Sequence, residues 1–492
     1  MTASLEPWAT GVPGLDLLLG GGLSGSPLVT VIGPTGAGKT VLACHLLFQA
    51  VQQGMRGLIL TAYAEDHSKL LQHLRPFTFF SEPAVGDTVT LVSLAGRLGT
   101  TTETAASAIV QSIRESRARF VVLDGFQGIA DHLNHGADLR RLLATVASQI
   151  SYLNVTLLLT LTGTARDEPS TTGLTSADVV LDLHYRLEGQ RHSRRLEVLK
   201  HRGRAHLPGT HSYAITDHGV TVIPQLEERT PPAVQLRPTG RVPFQVPELD
   251  QLLGGGLTAG TTTLMVGAPG VGKTMLGLTW ALAGPEPAGR SVFLSFDERL
   301  PEMHAKAAFL RLPLAAALEA GTCTFLSLNP VHLNPDAVAD AVLAALTPTT
   351  RRVVLDNVGV LVQTLGRRAP DYLAALVNHM YAAGVTTLLL VEIKPFTGLQ
   401  FDVTETPLSI LADNIVIVQQ VAAQGILRRV VAVLKMRFSA YDATLRELVI
   451  DSGGVRVLTA LQSDAGVLAA AAEVSGLMAP PTVSPTPTND TG

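Results

Sequence analysis

The chain repeats itself. GVPGLDLLLGGGL (11–23) returns as VPELDQLLGGGL (246–257), and GPTGAGKT (33–40) returns as GAPGVGKT (267–274). RFVVLDG (119–125) returns as RRVVLDN (351–357), and LEVLKHRG (196–203) as VAVLKMRF (431–438). Lys39 recurs at Lys273, 234 residues on; Asp124 at Asp356, 232 on; Lys200 at Lys435, 235 on. Landmarks in one order at a nearly constant offset mean a tandem duplication. The period is far above that of short-repeat solenoids, so each copy is a whole domain. The reading places a first domain at 1–228, a linker at 229–242, a second domain at 243–462 and a C-terminal segment at 463–492. Prolines in QLEERTPPAVQLRPTGR (225–241) favour an extended connector, and the Pro/Thr-rich MAPPTVSPTPTNDTG (478–492) is expected to be disordered.

The 492 residues are 46% hydrophobic with a net charge of −4, which excludes wholesale disorder and disfavours a strongly basic nucleic-acid binder. Two cysteines, Cys44 and Cys323, exclude a disulfide framework or a Cys-rich zinc site and fit a reducing compartment. The start, MTASLEPWAT, lacks the basic and apolar regions of a signal peptide, and no apolar run reaches membrane-helix length. A cytoplasmic location is expected.

Short apolar runs alternate with helical stretches in each copy. LVTVI (28–32), GLILT (57–61), FVVL (120–123) and VTLLLTL (155–161) read as buried strands, and VLACHLLFQAVQQG (41–54) as a helix with a glycine stop. This alternation predicts an α/β fold whose mostly parallel sheet is flanked by helices.

Both glycine-rich segments satisfy G-x-x-x-x-G-K-S/T between an apolar strand and a helix, the context that a phosphate-binding loop requires. Gly33, Gly36, Ala37, Gly38, Lys39 and Thr40 form the first set. Gly267, Gly270, Val271, Gly272, Lys273 and Thr274 form the second. Backbone N–H groups and the helix N-terminus would cradle phosphates, each lysine would reach the β- and γ-phosphates, and Thr40 and Thr274 would ligate Mg²⁺. Asp124 and Asp356 each close an apolar run after the loop, where the metal needs a carboxylate. ATP and Mg²⁺ are the expected cofactors.

The glycine-rich lead-in, the paired loops and the closing K-x-R strand together resemble the KaiC family of RecA-like ATPases over residues 8–460. The resemblance implies tandem RecA-like P-loop domains, an ATP-dependent homo-hexameric double ring and slow hydrolysis. In the family's clock members it also implies autophosphorylation in the second domain. A glutamate pair after the second strand would supply the general base; ILTAYAED (59–66) puts Ala64 and Glu65 there, and VFLSFDER (292–299) puts Asp297 and Glu298 there. Lys200, Arg202 and His206, with Lys435 and Arg437, match residues that reach a neighbouring subunit's nucleotide. TPLSILADNIVIVQQ (406–420) aligns with the phosphoacceptor segment, with Ser409 at the serine position and Ile410 where a threonine would stand. Half of that pair is missing, so two-site phosphorylation is not expected.

Other residues carry less. His132 and His135 could share a helix face, but no acid completes a metal site. Cys44 is expected in the core, and Arg191, Arg194, Arg195, Arg367 and Arg368 on the surface. Glu392, with Thr162 as its rough counterpart, ends a strand where it could sense a γ-phosphate. Two competing readings stand beside the ATPase: a nucleotide-gated assembly module with little catalysis, and a DNA-handling RecA-like motor. The acidic balance and 5% aromatic content count against the motor, since strand tracking uses basic grooves and stacking rings.

Overall fold

LVTVI forms β1 (Leu28–Gly33), with all its residues buried. Successive side chains of a strand point to opposite faces. Val29 and Val31 enter one core with Leu42, Phe48 and Val122, whereas Leu28 and Ile32 enter a second with Leu58, Val121 and Leu159. A strand that is apolar on both faces needs cover on both, which gives the layered arrangement of a parallel sheet.

The computed structural model describes residues 7–62, 67–94, 97, 101–126, 129, 136–165, 174–188, 191–233, 239–284, 289–329, 333–393, 411–423 and 426–460. The chain divides into two units, Met1–Arg229 and Thr230–Gly492. The first unit adds β2 (Gly57–Thr61), β3 (Val89–Ser93), β4 (Phe120–Asp124), β5 (Thr156–Thr162), β6 (Val179–Glu188), β7 (Arg191–His201), β8 (Thr210–Thr216) and β9 (Gly219–Ile223). They form a nine-stranded sheet in the order β3-β2-β4-β5-β1-β6-β7-β8-β9. Pairings are parallel from β3 through β6 and antiparallel from β6 to β9.

In the second unit β10 (Arg241–Val242) and β11 (Leu257–Thr258) make a small antiparallel pair. Its main sheet contains β12 (Thr262–Gly267), β13 (Arg290–Ser295), β14 (Cys323–Ser327), β15 (Thr350–Asp356), β16 (Thr386–Glu392), β17 (Asn414–Ala423), β18 (Ile426–Met436), β19 (Arg446–Asp451) and β20 (Gly454–Ala460). The order is β14-β13-β15-β16-β12-β17-β18-β19-β20, strand for strand that of the first unit. The α/β fold read from the sequence is the fold observed.

The helix after β1 spans Lys39–Gln52 and stops before Gly54, whose φ of 88° no β-carbon residue adopts cheaply. Cys44 is buried on it, and burial pushes its thiol pKa up, so it is a core residue as expected. Three of the arginines expected at the surface are partly enclosed instead. Arg194 lies over the Tyr185 ring, with 4.9 Å to the centroid. Arg195 donates to Ser212 Oγ at 2.9 Å, and Arg368 reaches the buried Asp336 carboxylate at 3.0 Å. Paired or stacked guanidinium groups tolerate burial that a lone charge does not.

His45, on the same helix, is buried and stacked on Phe79, and its Nδ1 accepts the Val220 N–H at 3.2 Å. Burial lowers its pKa from 6.5 to about 4. The unfolded imidazole binds its proton near pH 6.5 and the folded one only near pH 4. First-unit stability is therefore full above pH 6.5 and falls as pH drops toward 4, by up to about 3 kcal/mol. Denaturant unfolding across this window should show that loss in wild type and a flatter profile in His45→Gln, which keeps an acceptor but binds no proton.

Candidate nucleotide sites

Each site begins where β1 or β12 ends in a turn that only glycine makes easily. Gly36 and Gly38 have φ of 81° and 91°; Gly270 and Gly272 have 77° and 107°. Beyond the turn the helices Lys39–Gln52 and Lys273–Ala281 point their free N–H groups at the loop. A β-carbon added at Gly38 would sit 2.3 Å from Ile215 Cδ1, and one at Gly272 would sit 2.2 Å from Ile450 Cδ1. At Gly270 nothing lies within 4 Å, so that side of the loop is open.

Lys39 Nζ donates to the Gly33 and Pro34 carbonyls at 2.8 and 3.0 Å. Lys273 Nζ donates to the Gly267 and Ala268 carbonyls, both at 2.9 Å. The two ammonium groups thus sit over their own loops. Burial lowers the pKa of both; Asp124 opposes this at Lys39, and Glu392 and Asp356 oppose it at Lys273. Thr40 Oγ1 donates to Asp124 at 2.9 Å, and Thr274 Oγ1 to Asp356 at 2.7 Å. A hydroxyl beside a carboxylate is a hard-oxygen set of the kind Mg²⁺ takes. With the open glycine cradle and the lysine, these residues fit a nucleotide triphosphate and its metal in both units. The equal spacing that singled out Asp124 and Asp356 thus corresponds to one shared geometry.

The surroundings of the two carboxylates differ. Asp124 accepts a further hydrogen bond from Thr160 Oγ1, which in turn accepts the Gly125 N–H at 2.9 Å. Thr160 went unnoticed in sequence because it sits inside an apolar run. The ladders put Leu390 at the matching place, so Asp356 lacks that partner. Asp356 is only 6% exposed. Burial raises its pKa to about 6, with Asp297 and Glu298 adding to the rise and Thr274 and Lys273 opposing it. Asp297 and Glu298 are thus near enough to act on Asp356 electrostatically. Glu392 adds a further acid near the loop, with Oε1 3.9 Å from Lys273 Nζ, and pairs with Gly267 as Thr162 pairs with Gly33.

The ladders and the helices that follow bracket the acid turn of each copy. Thr61 pairs with Asp124 as Ser295 pairs with Asp356. Two and three residues past those ends stand Tyr63 and Ala64 in the first copy, and Asp297 and Glu298 in the second. Counted back from the helices that follow, which begin at His67 and Leu300, Ala64 and Glu65 stand opposite Asp297 and Glu298, so the first turn is one residue longer than the second. Glu65 itself lies outside the described residues, as do Ser409, Ile410, His132 and His135.

The K-x-R segments occupy equal positions. A bulge leaves Leu199 unpaired just before Lys200, and another leaves Leu434 unpaired just before Lys435. Bulges re-aim the side chains beside them. Lys200 Nζ donates to the Thr175 carbonyl at 3.1 Å and Lys435 Nζ to the Ala412 carbonyl at 2.7 Å. Arg202 pairs with Asp178 at 3.2 Å and Arg437 with Asp413 at 3.5 Å. Each aspartate also accepts a backbone N–H from the loop-bearing strand or its start, Leu28 in one copy and Thr262 in the other. The sequence carried the signal for these aspartates: Ala177–Asp178 recurs as Ala412–Asp413 at the K-x-R offset. His206 is half-buried in the same loop and helps to lower the pKa of His201.

Two parallel-centred sheets of one strand order, each with a phosphate loop leading into a helix, define tandem RecA-like P-loop domains. A model of the KaiC ATPase family matches residues 8–227 and again residues 242–462. The chain belongs to that family. It is similar to the circadian clock protein KaiC3 of Synechocystis sp., 25% identical over 495 residues and covering 95% of each chain. The circadian clock oscillator protein KaiC of Picosynechococcus sp. is 24% identical over 460 residues, covering 91% of this chain and 88% of its own. That of Synechococcus elongatus is 23% identical over 470 residues, covering 90% and 88%.

Gly272→Ala should weaken ATP binding at the second site. Left-handed strain of about 1–2 kcal/mol together with the contact at Ile450 gives a loss of roughly tenfold or more by titration with a fluorescent ATP analogue. Adding Ile450→Ala should recover the contact part and leave the strain.

Proposed function

We propose that the chain binds ATP with Mg²⁺ in both units and hydrolyses it slowly, with the chemistry concentrated in the second. The observation that carries this is the acid cluster of the second site. Both sites have the loop, the lysine and the threonine–aspartate pair. At the second, among the described residues, Asp297 and Glu298 lie close enough to Asp356 to raise its pKa. Hydrolysis needs a base within hydrogen-bond reach of the attacking water, directly or through one further water. Glu298, half-buried, and Asp297, exposed, are the candidates; the first copy has Ala64 in place of the first acid and keeps Glu65, outside the described residues, as the second. Bound at Thr274 and Asp356, Mg²⁺ supplies charge neutralisation on the phosphates. Lys273 and the loop N–H groups orient the phosphates, and Glu392 faces the same lysine.

On this reading the first site serves nucleotide-gated assembly more than turnover. Lys200, Arg202 and His206, and Lys435 and Arg437, are proposed to reach a neighbouring subunit's nucleotide in an ATP-dependent hexameric ring. The side chains of Arg202 and Arg437, each paired through Nη1 with Asp178 or Asp413 and still largely exposed, support that role. A cation brought to the phosphates from a second subunit would stabilise charge in the transition state. Ser409 is proposed as a single acceptor for autophosphorylation, with Ile410 removing the second. A cytoplasmic location follows from the ATP supply. Among the described residues no helix is long and apolar enough to cross a membrane.

Steady-state phosphate release, measured with γ-labelled ATP, tests the division of labour. Lys273→Ala should lower turnover by about tenfold or more and Lys39→Ala by clearly less. Equal losses, or a larger loss in Lys39→Ala, would reverse the assignment. Label retained on the protein and lost in Ser409→Ala would support the autokinase; free phosphate alone would remove it.

A further inference from the structure

We propose that Lys306 is a brake on the second site: its ammonium holds the Glu298 carboxylate in an ion pair, and freeing that carboxylate raises turnover. The inference rests on the reading of Glu298 as a base for ATP hydrolysis.

Glu298 is pinned on every side that the structure describes. Its backbone N–H donates to Ser295 Oγ at 3.0 Å, and its carbonyl accepts from Ser327 Oγ at 3.2 Å. Its carboxylate is paired with Lys306, eight residues on, in the helix Leu300–Phe309. That helix is fixed at its start by Glu302, which accepts the Arg299 N–H at 2.8 Å, and buries Met303 and Ala307. The lysine is thus presented from a rigid support. Both partners are partly enclosed, with side-chain exposures of 28% for Lys306 and 22% for Glu298. Water screens such a pair only in part.

In hydrolysis the water oxygen forms the bond to the γ-phosphorus. The bridging oxygen keeps the electron pair of the bond that breaks, and the water's proton passes to a carboxylate. An ammonium group against that carboxylate weakens it as a base and must be displaced before it can turn to the water. The described polar contact of the Lys306 ammonium is with Glu298 and not with the phosphate loop, so it is taken to act through Glu298. Losing it should change kcat and leave KM in place.

The test measures kcat and KM for ATP in the full chain. Lys306→Met should raise kcat about three- to tenfold with KM within about twofold, while Lys306→Arg, which keeps the pair, should stay near wild type. Glu298→Gln added to Lys306→Met should erase the gain. If Lys273→Ala and Glu298→Gln leave turnover untouched, the reading of the second site is wrong. If they abolish turnover while Lys306→Met and Lys306→Gln, both still binding ATP, turn over no faster than wild type, the brake is wrong and Lys306 only supports the turn.

Discussion

A hydrogen bond from the first turn of a helix to the end of a strand two places away organises each unit. Thr40 follows the loop that leaves β1, and Asp124 ends β4, with β5 lying between those strands. Thr274 and Asp356 repeat the bond across β12, β16 and β15. The bond forms only if the crossover order is right and every strand is covered on both faces. The apolar alternation along β1 and its neighbours secures that. Fold and site are in this sense one problem: the strand order that buries the cores also brings a hydroxyl to a carboxylate above the phosphate loop.

Upon that shared frame the two units diverge through a few side chains. The first surrounds its aspartate with hydroxyl donors, Thr40 and Thr160. The second replaces one donor with Leu390 and adds Asp297 and Glu298 nearby. In the second, burial together with Asp297 and Glu298 raises the Asp356 pKa. On the proposed reading, binding is kept in both copies while chemistry is concentrated in one.

Much of this was legible in the residues. The repeat announced two domains, the loops fixed the phosphate sites, and the apolar runs located β1, β2, β4 and β5. Contacts made by polar residues inside apolar stretches were not legible. Thr160 reads as an ordinary strand residue until β5 is laid beside β4. The burial of Arg194, Arg195 and Arg368 depends on Tyr185, Ser212 and Asp336, which are distant in sequence or on another strand.

The central claim is that the two sites hold nucleotide alike and use it differently. The most direct measurement incubates the chain with ATP and Mg²⁺, separates it rapidly from free nucleotide and identifies what each unit retains. Lys39→Ala and Lys273→Ala assign each signal to its unit. The account predicts ATP persisting in the first unit and ADP accumulating in the second. ADP at equal levels in both units, or ATP persisting in the second, would contradict it.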